Sequence, residues 1–493
     1  HHHDSRLVFG SEPKAVLADP EVPAEPDPEA IHHFLTYGYV PGPWSAFRHL
    51  RKLPPAHVLL ARHGRIDVRR YWSLSYLPKL SGTPAELSEA LDELLDRAVR
   101  RRLVSDVPLG AMLSGGLDSS AVVALMRRSA TGPIRTFSIG FDAPEYDERS
   151  SARAVAETLE TEHHELVVKP DAATLLPRLA YHYNEPFADS SALPTWCLSE
   201  LTRQSVTVAL SGDGGDESFL GYDRYAAAEL AARLDGLPRV GRHTLAALAR
   251  QLPTGAAKSM LTRLRRFGSG LAETPPRRYG RWLAMTLDRQ KLELCTPEFQ
   301  AMSGAPDSLD LLETCWREAE ATGVERLVAT DVQMYLPDDL LVKMDIASMA
   351  HSLEVRSPFL DHHVVEFAAR VPLEVKLQRG RTKPLLADVV GSALPPSVSR
   401  RRKMGFGVPI EHWLRTDLRE MAHDLLLSSR ALQRGYFVRT TLERYLGEHE
   451  RGEAQHHMRL WGLMMLEQWH RTFIDQRSSG LAPTRAPSAS GIA

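Results

Sequence analysis

Ser114-Gly115-Gly116-Leu117-Asp118-Ser119-Ser120 sits between a short apolar run, 107–113, and the buried-helix pattern Ala121-Val122-Val123-Ala124-Leu125-Met126. A strand–loop–helix setting of this kind suits an anion-binding loop. Gly115 and Gly116 remove side chains that would hold an anion away from the backbone N–H groups. Ser114, Ser119 and Ser120 add hydroxyl donors, and the helix that begins here points its unpaired N–H groups at the ligand. Asp118 fits beside phosphate only through a hard cation such as Mg²⁺, which bridges carboxylate and phosphate oxygens. The Lys-bearing P-loop, G-x-x-x-x-G-K-S/T, does not occur in the chain, so the loop is of another kind.

Outward from this loop, the pattern predicts strand over 107–113, helix over 119–129, strand over 134–141, helix over 150–159 and strand over 164–168. Helices over 172–182 and 195–203 and a strand over 205–210 follow. Such alternation predicts an α/β fold, a doubly wound and mostly parallel sheet with helices on both faces. Ligands in such folds bind at the carboxyl ends of the strands near a topological switch point. A second polar motif falls at one of those ends: Ser211-Gly212-Asp213-Gly214-Gly215-Asp216-Glu217, after the β run 206–210. Three carboxylates within five residues repel one another, and a cation relieves that repulsion. Asp118 on one strand end and Asp216 on another are therefore expected to grip one Mg²⁺ under a pyrophosphate.

Around this core the readings are coarser. Residues 5–72 predict a small α+β piece: a short helix over 11–18, a helix over 28–37, and a hairpin about His63-Gly64. Leu87, Leu91, Leu94, Leu95, Ala98, Val99 and Leu103 predict a helix. Residues 225–330 are helical, Arg-rich and Leu-rich, and in 335–361 ionisable residues recur inside an apolar helical pattern, as in a helix that presents charges to a cleft or, equally, in a surface helix. Arg401-Arg402-Lys403-Met404-Gly405-Phe406-Gly407 is a basic cluster running into a Gly-bracketed loop. The tail from Arg477 on is rich in Ser, Pro and Ala and is expected to be disordered.

The 493 residues carry 60 Lys+Arg against 62 Asp+Glu, so charge balance favours neither nucleic acid nor a membrane as partner. Three cysteines, Cys197, Cys295 and Cys315, lie far apart with no zinc or disulfide spacing. No apolar run approaches the roughly 20 residues of a membrane span, so a cytoplasmic location is expected.

Taken together and in this order, SGGLDSS, SGDGGDE, the YLPDDLLVKMD…SMAHSLE-x-R-x-PFLD stretch and RRKMGFGVP resemble the synthetase domain of glutamine-dependent asparagine synthetases. Related pyrophosphate-loop enzymes share the first motif only. The resemblance implies a sheet of the adenine-nucleotide alpha-hydrolase type with added helices over 76–475. Residues 1–75, with FGSEPKAVLA and FLTYGYVPGP, would be the last portion of an N-terminal-nucleophile glutaminase domain, and 476–493 a tail. It implies ATP and Mg²⁺ as cofactors, aspartate or a similar carboxylate and ammonia or glutamine as small-molecule substrates, and a homodimer as the assembly. Leu113, Ile139, Ser211 and Gly212 would contact the nucleotide. Asp118 and Asp216 would be the magnesium-linked acids, Asp213 an acid needed for forming the acyl-adenylate, and Lys403 the lysine that steadies the charged intermediate. The family's N-terminal catalytic Cys and glutamine-holding motifs are absent, so the chain as given is not expected to hydrolyse glutamine. Ile346 stands where an Arg is common, and Asp213 where many members have Glu; both leave the acceptor open, and the alternatives are a same-fold amidotransferase acting on another acceptor in polysaccharide or peptide tailoring, or a non-catalytic nucleotide-binding subunit.

Overall fold

Five parallel strands carry the site: β1 (Leu109–Met112), β2 (Arg135–Gly140), β3 (Glu162–Val167), β4 (Val208–Leu210) and β5 (Glu354–Arg356), in the spatial order β3-β2-β1-β4-β5. The computed structural model describes every residue except 4–5, 131, 142–146, 169–170, 253–259, 379–380, 392, 401–406 and 477–493. The order reverses between β1 and β4, so the switch point, where ligands bind in doubly wound sheets, lies between those two strand ends. Both polar motifs begin there.

The central strands β1, β2 and β4 are largely buried because both faces of the sheet are covered there, whereas the edge strands β3 and β5 are polar and partly exposed. Alternation along β1 sorts its side chains. Ala111 and Leu113 enter one core with the helices Leu117–Ser129, Arg149–Thr158 and Pro84–Arg102. Met112 enters the other core, beside Phe137 and Ile139 of β2 and the helix Ala192–Arg203. Pro84–Arg102 starts where a capping box predicts: Thr83 accepts from the Glu86 N–H, and Glu86 accepts from the Thr83 N–H at 2.7 Å. Leu87, Leu91, Leu95, Ala98 and Val99 then form its buried stripe.

The strand, helix and hairpin readings match the structure to within a few residues. The hairpin pairs His57–Arg62 with Arg65–Arg70, and the early helix spans Pro28–Tyr37. Its Phe34 shares a core with Trp461 and Trp469 of the late helix His457–Trp469, and Phe47 packs against Trp469 and Phe473. The beginning and end of the chain are thus packed together.

The stretch 335–361 departs from a plain helix. Asp331–Leu340 is a π-helix containing Pro337, and it continues as the α-helix Leu341–Ala350. Proline lacks the N–H that an α-helix needs, and the wider turn accommodates it. The helix then stops, Ser352 takes a left-handed φ of 58°, and Glu354–Arg356 adds to the sheet as β5 beside β4. Three residues are too few to display strand alternation, which is why a helical pattern reads through them. Two of the acids here are covered rather than surface groups: Asp339 is buried, and the Asp338 carboxylate accepts the Gly42 N–H at 2.9 Å, whereas Asp345 and Glu354 are exposed.

Candidate functional site

The first loop closes on itself before it meets anything else. Ser114 Oγ and Ser119 Oγ lie 3.0 Å apart, the Ser114 N–H donates to Ser119 Oγ at 3.2 Å, and the Gly116 N–H donates to Ser114 Oγ at 3.3 Å. Gly116 caps the helix Leu117–Ser129 with extended backbone and no side-chain hydrogen bond, so the helix amides at this end face the cleft without a competing cap. Gly115 has φ +70°, and a Cβ there would lie 2.5 Å from the backbone of Ser151 and Ala152. Only glycine permits that approach. Leu113 and Ile139 are buried at the ends of β1 and β2, and Ser120 is fully buried with its hydroxyl turned inward.

The second loop interlocks with the first. A Cβ on Gly212 would stand 2.8 Å from the Ser119 backbone N and 2.9 Å from Asp118 Cβ, so the loops touch because position 212 has no side chain. Ser211 is fixed on both sides: its N–H donates to the Arg356 carbonyl at 2.9 Å and its hydroxyl donates to the Asp213 carboxylate at 2.7 Å. Ser357 Oγ donates to the Asp213 carbonyl at 2.5 Å. Asp213 thereby faces a cavity of about 370 Å³ shared with Leu341, Met344, Asp345, Ser348 and Ser357.

Asp118 and Asp216 meet at Lys383. Its ammonium binds both carboxylate oxygens of Asp118 and lies 2.5 Å from Asp216 Oδ1. The Lys383 side chain is 2% exposed. The residue caps the helix Pro384–Val390 in a left-handed conformation, φ 46°, an uncommon state for a side-chain-bearing residue. Nothing in the sequence singles it out, because a single Lys ahead of Pro384 carries no local signature. A pair of acids holding a buried ammonium at the switch point has the donor set a divalent cation needs, so the residues fit the metal expected there. Lys403 lies outside the described residues.

Further buried polar groups stand behind the acids. Tyr222 donates its hydroxyl to Glu217 at 2.5 Å. Burial, reinforced by Asp216, pushes the Glu217 carboxyl up to about 7. Arg224 stacks on the Tyr222 ring at 3.7 Å and donates to Asp331 at 2.7 Å, and the Tyr225 hydroxyl donates to the same carboxylate oxygen at 2.6 Å. Across the cavity, Lys343 donates to Asp189 at 2.7 Å. Burial opposes the Asp189 charge, and Lys343 outweighs it, so the carboxyl lies below its ordinary range. Burial and the neighbouring Asp189 push Asp339 well up. Ile346 packs against the large core, so the place where an Arg is common is apolar contact. The three thiols are not activated: burial raises Cys197 and Cys295 to about 12 and Cys315 to about 11.

A doubly wound sheet with a pyrophosphate-type loop and a facing acidic loop defines a nucleotide-dependent class of enzyme. The family model described as asparagine synthase matches residues 90–471, and that described as a glutamine amidotransferase domain matches residues 1–72. The chain belongs to the asparagine synthase family. It is 28% identical over 480 residues to asparagine synthetase (glutamine-hydrolyzing) 1 of Bacillus subtilis, covering 96% of this chain and 73% of that protein. A provisionally named glutamine-hydrolyzing asparagine synthetase of Mycobacterium bovis is 33% identical over 466 residues, 92% of this chain and 68% of its own length. Amidase chry2 of Gibberella zeae is 25% identical over 474 residues, 88% of this chain and 69% of the amidase.

Proposed function

We propose that the chain is an amide-forming ligase that activates a carboxylate with ATP and passes it to ammonia, with the aspartate side chain as acceptor. The observation that carries this reading is the meeting of Asp118 and Asp216 around one cation at the amino end of the helix Leu117–Ser129. A carboxylate is a poor acyl donor because its leaving group would be oxide. Attack of its oxygen on the alpha phosphorus of ATP releases pyrophosphate and leaves an acyl-adenylate, from which ammonia displaces AMP.

In this scheme the loop amides of 115–119 hold the phosphates and the helix end favours their charge. Leu113, Ile139, Ser211 and Gly212 flank the nucleotide. Asp213 fronts the cavity that takes the acceptor, and Lys403 matches the lysine that steadies the charged intermediate. Asp118 and Asp216 would hold Mg²⁺, which supplies Lewis-acid stabilisation of phosphate charge when bound. Ammonia comes from glutamine where an active glutaminase serves the site, in keeping with the match over residues 1–72. The domain division at residues 75 and 475 and a homodimeric assembly belong to the same proposal.

A second reading keeps the chemistry and changes the acceptor. It is favoured by the likeness to an amidase. The test is to incubate the protein with ATP, Mg²⁺, ammonium and one carboxylate at a time, and to follow AMP, pyrophosphate and amide. Asparagine with stoichiometric AMP supports the first reading; an amide from another carboxylate and none from aspartate supports the second. No AMP with any carboxylate contradicts both.

A further inference from the structure

Whole-chain charge balance conceals one segment. Residues 237–272 hold seven basic residues and no acidic one, within a chain whose formal net charge is −2. Its described residues include two helices, Arg239–Gln251 and Met260–Ser269, which pack where Gly268 meets Ala249. On the first helix the inner face is Ala246 and Ala249, both buried. The outer face carries Val240, 78% exposed, and Leu248, 57% exposed, eight residues apart and so on one stripe. Met260, 70% exposed, and the exposed Leu261 and Leu264 do the same on the second helix. Arg239 and Arg250 flank the first stripe, and Arg263 adjoins Leu264.

We propose that this helical hairpin docks peripherally on an anionic lipid surface, its exposed aliphatic side chains entering the acyl boundary and its arginines binding headgroup phosphates. Aliphatic side chains bracketed by arginines match the two layers of such a surface. Nucleic acid would use the charges and leave the aliphatics in water, and single strands want aromatic platforms. The one aromatic residue of these two helices, Phe267, is stacked on Trp282. A second copy of the same face would be repelled by like charge. Among the described residues no helix is long and apolar enough to cross a membrane, so the contact is a surface one. Arg263 lies 3.9 Å from Asp223, the residue after Tyr222, which ties the docking face to the helix leaving the active-site loop.

The proposal is tested by flotation of the intact chain with phosphatidylcholine vesicles, with and without phosphatidylglycerol. Partitioning is expected to be at least about tenfold stronger on the anionic vesicles and to fall as salt rises from about 0.05 to 0.5 M. V240S/L248S/M260S/L264S is expected to lose about tenfold while retaining the far-UV spectrum of the wild type. R239Q/R250Q/R263Q, which keeps every apolar side chain, is expected to lose the preference for anionic lipid. Equal binding to both vesicles, no binding to either, or undiminished binding by the serine variant would overturn the proposal. So would a wild type that leaves the vesicles for an acidic protein or polynucleotide at equal charge.

Discussion

Asp118 and Asp216 lie in the first turns of two different helices, Leu117–Ser129 and Gly215–Ser218, yet they share one counter-ion, the buried ammonium of Lys383. Without a cation, two carboxylates so close would be held apart or protonated. Lys383 therefore sets the geometry of the site as well as its charge.

Lys383→Ala removes the cation and leaves two partly buried acids facing each other. Breaking a buried pair in this way costs on the order of 3–5 kcal/mol. The variant is expected to melt lower than wild type in chelator and to regain much of the difference in millimolar Mg²⁺. Thermal unfolding with and without the metal reads this directly; a melting temperature indifferent to Mg²⁺ would contradict the shared-cation account.

Gly212→Ala drives a methyl group to 2.8 Å from the Ser119 backbone N. The two loops must separate, at about 1–3 kcal/mol of stability by the usual cost of overpacking. Displacing reacting groups by about an ångström costs of order a hundredfold in rate. The expected outcome is a folded protein whose ATP-dependent pyrophosphate exchange falls about a hundredfold; exchange at the wild-type rate would mean that the loops do not act together.

Glu217 gives a pH dependence. Its ordinary value is 4.5, and in the folded protein burial pushes it up to about 7. Between those values the folded protein holds a proton that the unfolded chain has released, so this group's contribution to stability falls as pH rises through the window. The full loss is up to about 3 kcal/mol above pH 7. Glu217→Gln keeps an acceptor for Tyr222 and removes the titration. Denaturant unfolding at pH 5 and pH 8 is expected to show the variant gaining on wild type at the higher pH, and a constant difference would refute the assignment.

Asp331 accepts from Arg224 and Tyr225 with 1% side-chain exposure. Asp331→Ala strands an arginine among tyrosines and is expected to cost about 3–5 kcal/mol in urea unfolding. A loss under about 1 kcal/mol would show that the cluster relaxes around the gap.

Several of these features were readable in the sequence, and the reason is local. SGGLDSS and SGDGGDE are contiguous, so their chemistry and the strand ends that carry them appear together in one window. Apolar runs likewise mark β1 and β4. Lys383 was not readable: it reaches the acids by tertiary packing, and its left-handed backbone leaves no trace in side-chain type. Nor was β5, whose three residues sit at the end of a helical pattern. For Asp338, Asp339 and Lys343 the sequence pattern points to a cleft as readily as to a solvent face, since only another part of the chain decides whether a charged helical residue is covered. Here the cover comes in part from Gly42, near the start of the chain.

The most direct test is isotope exchange between labelled pyrophosphate and ATP, driven by the acceptor carboxylate, in wild type and Asp118→Asn. The substitution keeps the shape of the side chain and removes the charge that the shared cation needs. Exchange in wild type that drops at least about a hundredfold in the folded variant is the predicted result. Exchange in the variant at the wild-type rate would contradict the claim that Asp118 and Asp216 hold one cation beneath the phosphates.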